Sequence, residues 1–319
     1  RGINMANIDL KSILQKNSVV GAGGAGFPSF AKLADGATIL VINAVECEPL
    51  MYTDLTLMHE KLPDIVLGMK SVMDYAKIPT GLLCVKDYRA LKLGLADGQE
   101  LAPGVFVKLL PNVYPMGDEI NLIYTATGRV VPPGQLPVSV GCAVFNVSTY
   151  AAIYRAVRLG MPLIQRIVTI SGEAIAEPQN FIVRIGTPFH DLVEAAGGLH
   201  DKTERVISGG PMMGVAQSDL SVPVIKATNS ILCLLKDVNG AAENPVCLRC
   251  GKCVAVCPML LQPLYMYRFT NAGRVDEINR LHILDCMECG SCAFTCPGKL
   301  PLVEVFRKGK QMVREANAK

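Results

Sequence analysis

Eight of the twelve cysteines lie between residues 247 and 296, in two runs that share one spacing. "CLRCGKCVAVCP" sets Cys247, Cys250, Cys253 and Cys257 at C-x2-C-x2-C-x3-C-P, and "CMECGSCAFTCP" repeats the pattern with Cys286, Cys289, Cys292 and Cys296. Three thiolates on one tight turn can face a single iron–sulfur cubane, whereas the fourth, after three more residues, points out of that turn toward a neighbouring cluster. The spacing therefore predicts crossed ligation. One [4Fe-4S] cluster would use Cys247, Cys250, Cys253 and Cys296, and the other Cys286, Cys289, Cys292 and Cys257. Zinc sites also use C-x2-C pairs, but a fourth Cys followed by Pro, duplicated, is the cluster form. Gly251 and Gly290 would let the backbone wrap close, and Pro258 and Pro297 would direct it away. Two clusters held this way lie near one another and make a path for single electrons.

Cys47, Cys84, Cys142 and Cys233 have no such spacing, and three of the four sit in apolar runs, so they read as buried structural thiols. Disulfide scaffolds are short secreted chains, and these 319 residues are neither short nor disulfide-dense; the expectation is a cytoplasmic protein with reduced thiols. A net charge of +3 with both signs interspersed, 6% aromatics and no Trp argue against a nucleic-acid partner. No apolar stretch approaches the roughly 18 residues of a membrane span, so no membrane insertion is expected. Clusters of this kind take one electron at a time. Feeding them from a two-electron donor calls for a flavin, to be sought in the first 160 residues.

The elements that must position such a group alternate between strand and helix. Residues 7–17 read as a short helix, "PSFAKLAD" as the start of another, "TILVINAV" (38–45) as a buried strand ending at "ECEP", and 57–76 as a longer helix. Strands follow at 80–86, 105–111 and 141–145, the last leading through "NVST" into a helix that closes the first domain near residue 160. From 166 to 215 the β-branched runs "RIVTISG" and "NFIVRIG", the helix "PFHDLVEAAGG" and the return "RVISGGPMMG" suggest a small β-grasp insert. "SILCLLKD" forms a strand leading into the cysteine region, and a helix at 301–316 follows it. His190 and His200 are lone histidines, read as structural or exposed.

Between the first helix and "PSFAKLAD" lies "VVGAGGAGFPSF". Gly21, Gly23 and Gly26 satisfy G-x-G-x-x-G, and Glu46 stands twenty residues on, as in a dinucleotide site. The context fails, because helix-like residues and not a strand precede the glycines.

Read together and in order, "GAGGAGFPSFAKL", "VINAVECEPLMYTD", "YPMGDE" and "GCAVFNVSTYAAI" resemble the flavin- and NADH-binding subunit of respiratory complex I and, more closely, RnfC and its soluble relatives. Segment 166–215 resembles the soluble-ligand-binding β-grasp (SLBB) domain of that family, and the double cysteine motif follows where RnfC-like proteins carry it. The implied fold is α/β: a complex I flavoprotein-like FMN/NADH domain, Rossmann-like but non-classical (5–162), an SLBB β-grasp domain with linker (163–240), and a two-[4Fe-4S] ferredoxin-like domain with a terminal helix (241–319).

The resemblance implies that Gly21, Gly23, Gly24 and Gly26 bring bare backbone beside FMN, with Phe27 near the nicotinamide entry and Lys32 reaching the flavin. Asn43, Glu46 and Glu48 match the acidic flavin-binding turn, Glu46, Glu48 and Glu119 being expected to orient flavin and nucleotide. Tyr114, Gly117, Asp118 and Glu119 match the loop over flavin and nucleotide, and Asn146, Ser148 and Thr149 a phosphate-holding turn at a helix start. The Pro-rich segment has Leu136 where complex I stacks an aromatic on adenine, and Asp118 adds a charge expected to disfavour the 2′-phosphate of NADPH. The implied activity is NADH oxidation through FMN, with single electrons passed along the clusters to a partner subunit, without a side-chain acid or base. The short soluble RnfC-like subunits of acetogen methylenetetrahydrofolate reductases are the implied nearest kin. A cobalamin reductase of the PduS type and an electron-transfer adaptor with a vestigial nucleotide site are the alternatives.

Overall fold

A computed structural model describes residues 9–33, 36–235 and 245–318, and the chain divides into two compact units, Arg1–Leu235 and Lys236–Lys319. The first unit begins with α1 (Leu10–Lys16), then runs β1 (Ile39–Asn43), α2 (Thr53–Ala76), β2 (Thr80–Lys86), α3 (Asp87–Leu93), β3 (Glu100–Ala102), β4 (Val105–Leu110), α4 (Glu119–Thr127), β5 (Cys142–Asn146) and α5 (Val147–Leu159). The sheet order is β3-β4-β2-β1-β5, with β1, β2, β4 and β5 parallel and β3 an antiparallel edge. Its central strands read as continuous apolar runs because both faces are covered. Leu10, Leu14, Ile65, Met69, Tyr150 and Ile153 of α1, α2 and α5 cover one face, and Leu122 and Ile123 of α4 meet Val41 and Val144 on the other. Gly68 lets α2 close on α5, where a Cβ would come within 2.4 Å of the Tyr150 carbonyl oxygen.

From β1 the chain builds outward through β2 and β4, then returns to lay β5 on the opposite side of β1. Strand order reverses between β1 and β5, and that leaves a crevice beyond their carboxyl ends, where open α/β sheets hold ligands. Asn43 and Asn146 are register partners at that edge.

A second sheet in the same unit has β6 (Gln165–Ser171), β7 (Gln179–Arg184), β8 (Thr203–Ser208), β9 (Val215–Gln217) and β10 (Ser230–Leu235) in the order β7-β6-β10-β8-β9. The helix α6 (Phe189–Ala195) packs Phe189, Leu192 and Val193 against Val168, Ile170 and Ile231. This is a β-grasp arrangement. β10 is its central strand, parallel to β6 and antiparallel to β8, and not a mere lead into the cysteine region as "SILCLLKD" suggests. Only glycine fits at 172, where φ is +107° and a Cβ would sit 2.0 Å from the Cys233 carbonyl oxygen.

The second unit is helical: α7 (Lys252–Ala255), α8 (Pro263–Asn271), α9 (Val275–Arg280), α10 (Ser291–Phe294) and α11 (Leu302–Asn317), around Met266, Ile278, Ile283, Leu302, Phe306 and Val313. Several expectations need correction. Of the "PSFAKLAD" helix, the described residues form a single 3-10 turn, Ser29–Lys32, and residues 34 and 35 lie outside the described residues. The long helix starts four residues early, at Thr53, and its backbone departs from helical angles at Lys61, two residues before Pro63. Helices α3 and α4, of seven and nine residues, are too short to show a clear period. His190 and His200 are solvent-facing, and Cys84, Cys142 and Cys233 are buried. No helix among the described residues is long and apolar enough to cross a membrane.

Candidate functional site

The glycine loop follows α1 and closes on itself through a bridge between Val20 and Pro28 and a Gly21 N–H bond to Phe27 O at 2.7 Å. Gly24 and Gly26 have φ of +107° and +63°, and a Cβ on Gly23 would lie 3.3 Å from Cβ of Asn146. The loop thus lies against the end of β5 with its backbone exposed. Lys32, at the end of the 3-10 turn, donates from Nζ to Glu119 Oε1 (2.8 Å) and Val144 O (3.0 Å), 5.9 Å from the ring centres of both Phe27 and Phe145. Asn43 donates to Gly117 O (2.7 Å) and accepts from Val45 N–H (3.2 Å). Three segments distant in sequence, around residues 21–32, 43–48 and 114–119, therefore converge beyond β1 and β5. Tyr114 precedes a cis proline, and Cys47 fills the space beside Gly117, where a Cβ would come 2.9 Å from Sγ. Burial pushes the Cys47 thiol up, so it stays protonated there.

The acidic turn differs from expectation in one respect. Glu46, at φ +40°, is buried: Oε1 accepts from Thr53 Oγ1 and Asp54 N–H (both 2.8 Å), and Oε2 pairs with Arg89 Nη1 at 2.5 Å. Its carboxylate caps α2 and is spent inside the protein, so a ligand would meet this turn through backbone, not through the Glu46 side chain. Glu48 turns the other way. Its Oε2 accepts from Met212 N–H (3.1 Å), while Oε1 is buried without a hydrogen-bond partner. Burial raises the Glu48 pKa.

Asn146, Ser148 and Thr149 start α5, but their side chains are already engaged. Asn146 Nδ2 and Ser148 Oγ both donate to Asp54 (2.6 Å each), and Thr149 Oγ1 accepts from Ala22 N–H (3.0 Å). The Ser148 N–H is also taken, by Asn146 Oδ1 (2.9 Å), so this turn offers an anion only the remaining main-chain N–H groups of the first helical turn. Asp54 is buried, its pKa pushed up to about 7 by desolvation and by the neighbouring Glu46. Asp118 caps α4, accepting from Ile120 and Asn121 N–H (3.0 and 3.2 Å). Its carboxylate is turned to the helix start. Leu136 is 71% exposed. Asp54, Arg89 and Arg166 carry no signal in the sequence, since a lone charge shows no periodicity until its buried partners are known.

The residues at this crevice fit a flavin. Side-chain-free backbone at Gly23, Gly24 and Gly26, half-exposed Phe27 and the Lys32–Glu119 pair gather at the point where strand order reverses.

In the second unit Cys247, Cys250, Cys253 and Cys296 line one hollow, and Cys257, Cys286, Cys289 and Cys292 line another. Gly298 makes the first grouping possible, for a Cβ there would come 2.1 Å from Val246 O and hold the two cysteine segments apart. Main-chain N–H groups of Leu261 and Glu288 point at the sulfurs of Cys257 and Cys286 (3.4 Å each). On α11, Lys310 donates to Cys286 O and Glu288 Oε1 (2.6 Å each) and ties the second loop down. Burial and the adjacent thiols of Cys286, Cys289 and Cys257 push Cys292 up to about 12, a penalty that thiolate coordination to iron removes. Four thiols around each cavity suit an iron–sulfur cubane.

Comparison with known proteins follows this division. Residues 14–155 match the Nuo51 FMN-binding domain, 167–216 the SLBB domain and 241–297 the 4Fe-4S dicluster domain. The chain is 41% identical over 260 residues to the C component of the proton-translocating ferredoxin:NAD(+) oxidoreductase complex of Clostridium ljungdahlii, covering 80% of this chain and 57% of that one. It is 39% identical over 313 residues to the C component of the Na(+)-translocating ferredoxin:NAD(+) oxidoreductase complex of Acetobacterium woodii, covering 95% and 70%. An NAD+-reducing [NiFe]-hydrogenase in the H2-reduced state shares the fold, with a TM-score of 0.64 at 18% identity over 98% of this chain and 63% of that one. The chain spans 57% and 70% of the length of these two relatives; it belongs to the RnfC family and has its FMN-binding, SLBB and two-cluster domains.

Proposed function

We propose that the chain is an electron-input subunit that oxidises NADH and delivers single electrons to a partner protein. The observation that carries this reading is the pairing, within one chain, of a flavin-type crevice with two four-cysteine cavities. When bound, FMN supplies the conversion of a hydride into single electrons, and the clusters supply the path onward. The protein's own work is positioning. The backbone of Gly21, Gly23, Gly24 and Gly26 would meet the ring system, Lys32 held by Glu119 sets a fixed positive charge beside it, and Asn43 holds Gly117, hence the Tyr114–Glu119 loop, against the acidic turn of Glu46 and Glu48. The helix start at Asn146, Ser148 and Thr149 would face the flavin phosphate, with the Ser148 N–H turned to Asn146 Oδ1. Exposed Phe27 is the natural contact for the nicotinamide. We assign the crossed cysteine sets, 247/250/253/296 and 286/289/292/257, one cluster each.

The acceptor we favour is another member of a ferredoxin:NAD(+) oxidoreductase-type complex, as the relatives' names suggest, in the cytoplasm where NADH and reduced thiols occur. Subunits of methylenetetrahydrofolate reductase are the alternative partner, and co-purification from the native host separates the two. The central test is anaerobic: purify the full chain, extract its flavin, and follow bleaching by NADH and NADPH with and without cobalamin. Bleaching by NADH with cluster reduction supports the reading. A flavin spectrum unchanged by NADH, with clusters that dithionite still reduces, replaces it with an adaptor. Cobalamin reduction at the NADH-driven rate replaces it with a cobalamin reductase.

A further inference from the structure

Arg166 stands near the start of β6 with its guanidinium among neutral oxygens. Nε donates to Ile167 O (3.3 Å), Nη2 to Ala22 O (3.2 Å) and Asn229 Oδ1 (3.3 Å), and Nη1 to Lys226 O. None of the ion pairs among the described residues includes it. The half-buried guanidinium has no carboxylate in contact and uses its donors to tie the glycine loop to residues 226–229.

Residues 226–229 follow the glycine loop along its length. Lys226 Nζ donates to Ser18 O (2.6 Å), Ala227 Cβ lies 3.7 Å from where a Cβ on Gly26 would be, and Asn229 Nδ2 lies 3.7 Å from the same point on Gly24. That strip is anchored in turn to the β-grasp sheet, where Asn229 O accepts from Thr169 N–H of β6 (3.0 Å), and it is braced within itself by Thr228 Oγ1, which accepts from Ile225 N–H (3.0 Å). The same sheet grips the acidic turn, through Met212 N–H to Glu48 (3.1 Å), Ser171 Oγ to Leu50 O (2.7 Å), and Tyr52 N–H to Thr169 Oγ1 (3.1 Å). Both loops of the crevice are therefore held from outside the sheet that carries them.

We propose that the β-grasp sheet is the positioning scaffold of the flavin site, with Arg166 the positioning residue of the glycine loop. A loop with four glycines in six positions loses more conformational freedom on ordering than one with side chains there would. Fixing the Ala22 carbonyl in advance removes that cost from ligand binding, the general benefit of preorganisation. Arg suits the task where Lys would not, because its planar fork reaches Ala22, Lys226 and Asn229 at once. The proposal rests on the flavin reading for its ligand, but the loop's order is measurable without one.

The test compares the full chain with Arg166→Met, Arg166→Lys and Lys226→Met. Hydrogen exchange is read by mass spectrometry on peptides covering 18–30, with 10–16 as an internal control. Both Arg166 variants should exchange faster in 18–30 and not in the control. On flavin-depleted protein, FMN titrated by fluorescence should bind Arg166→Met about tenfold to a hundredfold more weakly, the range set by losing charge-assisted hydrogen bonds, with Arg166→Lys in between and cluster content unchanged. If Arg166→Met fails to fold, Arg166→Lys and Lys226→Met carry the comparison, each expected to show faster exchange in 18–30. Unchanged exchange in 18–30 overturns the proposal whatever the FMN result. A wild-type chain that binds no FMN, with exchange altered as expected, overturns the flavin reading and leaves the loop-positioning role standing.

Discussion

Replacing Arg89 by Met isolates the buried pair beneath the acidic turn. Arg89 and Glu46 have side chains only 5% and 2% exposed, and Glu46 also caps α2 through Thr53 Oγ1 and the N–H of Asp54. The substitution leaves a carboxylate buried beside Asp54, which is itself buried, and removing one partner of such a pair costs about 3–5 kcal/mol. For a unit of this size each kcal/mol lowers the melting temperature by about 2–4 °C, so the expected drop is about 6–20 °C. Glu46→Gln, leaving the guanidinium unmatched, should cost a similar amount. The double variant should cost less than the sum of the two by about 1–3 kcal/mol, since neither uncompensated charge remains. Thermal and urea unfolding of the four proteins close the cycle. A loss below about 1 kcal/mol for Arg89→Met, or strict additivity, would refute the claim that this pair supports the turn.

Three further outcomes are expected. Asp54 has its pKa raised from 3.8 to about 7, so between those values the folded protein holds a proton that the unfolded chain has released; stability should fall as pH rises through this window and level off above it. Urea midpoints across that range should show the slope in the parent and lose it in Asp54→Asn. Gly210→Ala would place a Cβ 2.2 Å from Glu48 Oε2, and the forced shift should cost about 1–3 kcal/mol and weaken FMN retention; a melting curve and flavin content like those of the parent would contradict the Glu48 contact. Cys247→Ala combined with Cys296→Ala should leave one cluster, with iron falling from about eight to about four per chain, because crossed ligation puts both residues on the same cubane. Loss of both clusters would favour sequential pairing.

Much of the organisation was legible in the chain. The duplicated C-x2-C-x2-C-x3-C-P runs are readable because a cluster ligand set is mostly local, three residues from one turn, and only the fourth must come from elsewhere. The apolar runs at 38–45, 80–86 and 105–111 marked a parallel sheet because such strands are buried on both faces. The helix after "NVST" was legible for a similar reason, since a capping residue ahead of an amphipathic stretch is a local signal. Short α3 and α4, with at most nine residues each, carry too little periodicity to stand out.

The site is another matter, and Glu46 shows why. A glutamate in "ECEP" has the same chemistry whether it faces a ligand or a buried arginine, and Arg89 lies 43 residues away with no pattern linking the two. The same holds for Asp118, which caps its own helix, for Asp54 between Asn146 and Ser148, and for Arg166, which reaches 144 residues back to Ala22. Local sequence was enough to specify the strands, the cysteine turns and the glycines whose positive φ excludes other residues. Which charged groups face solvent and which face each other was settled only by folding, because desolvation and pairing energies depend on distances between segments that the chain brings together last.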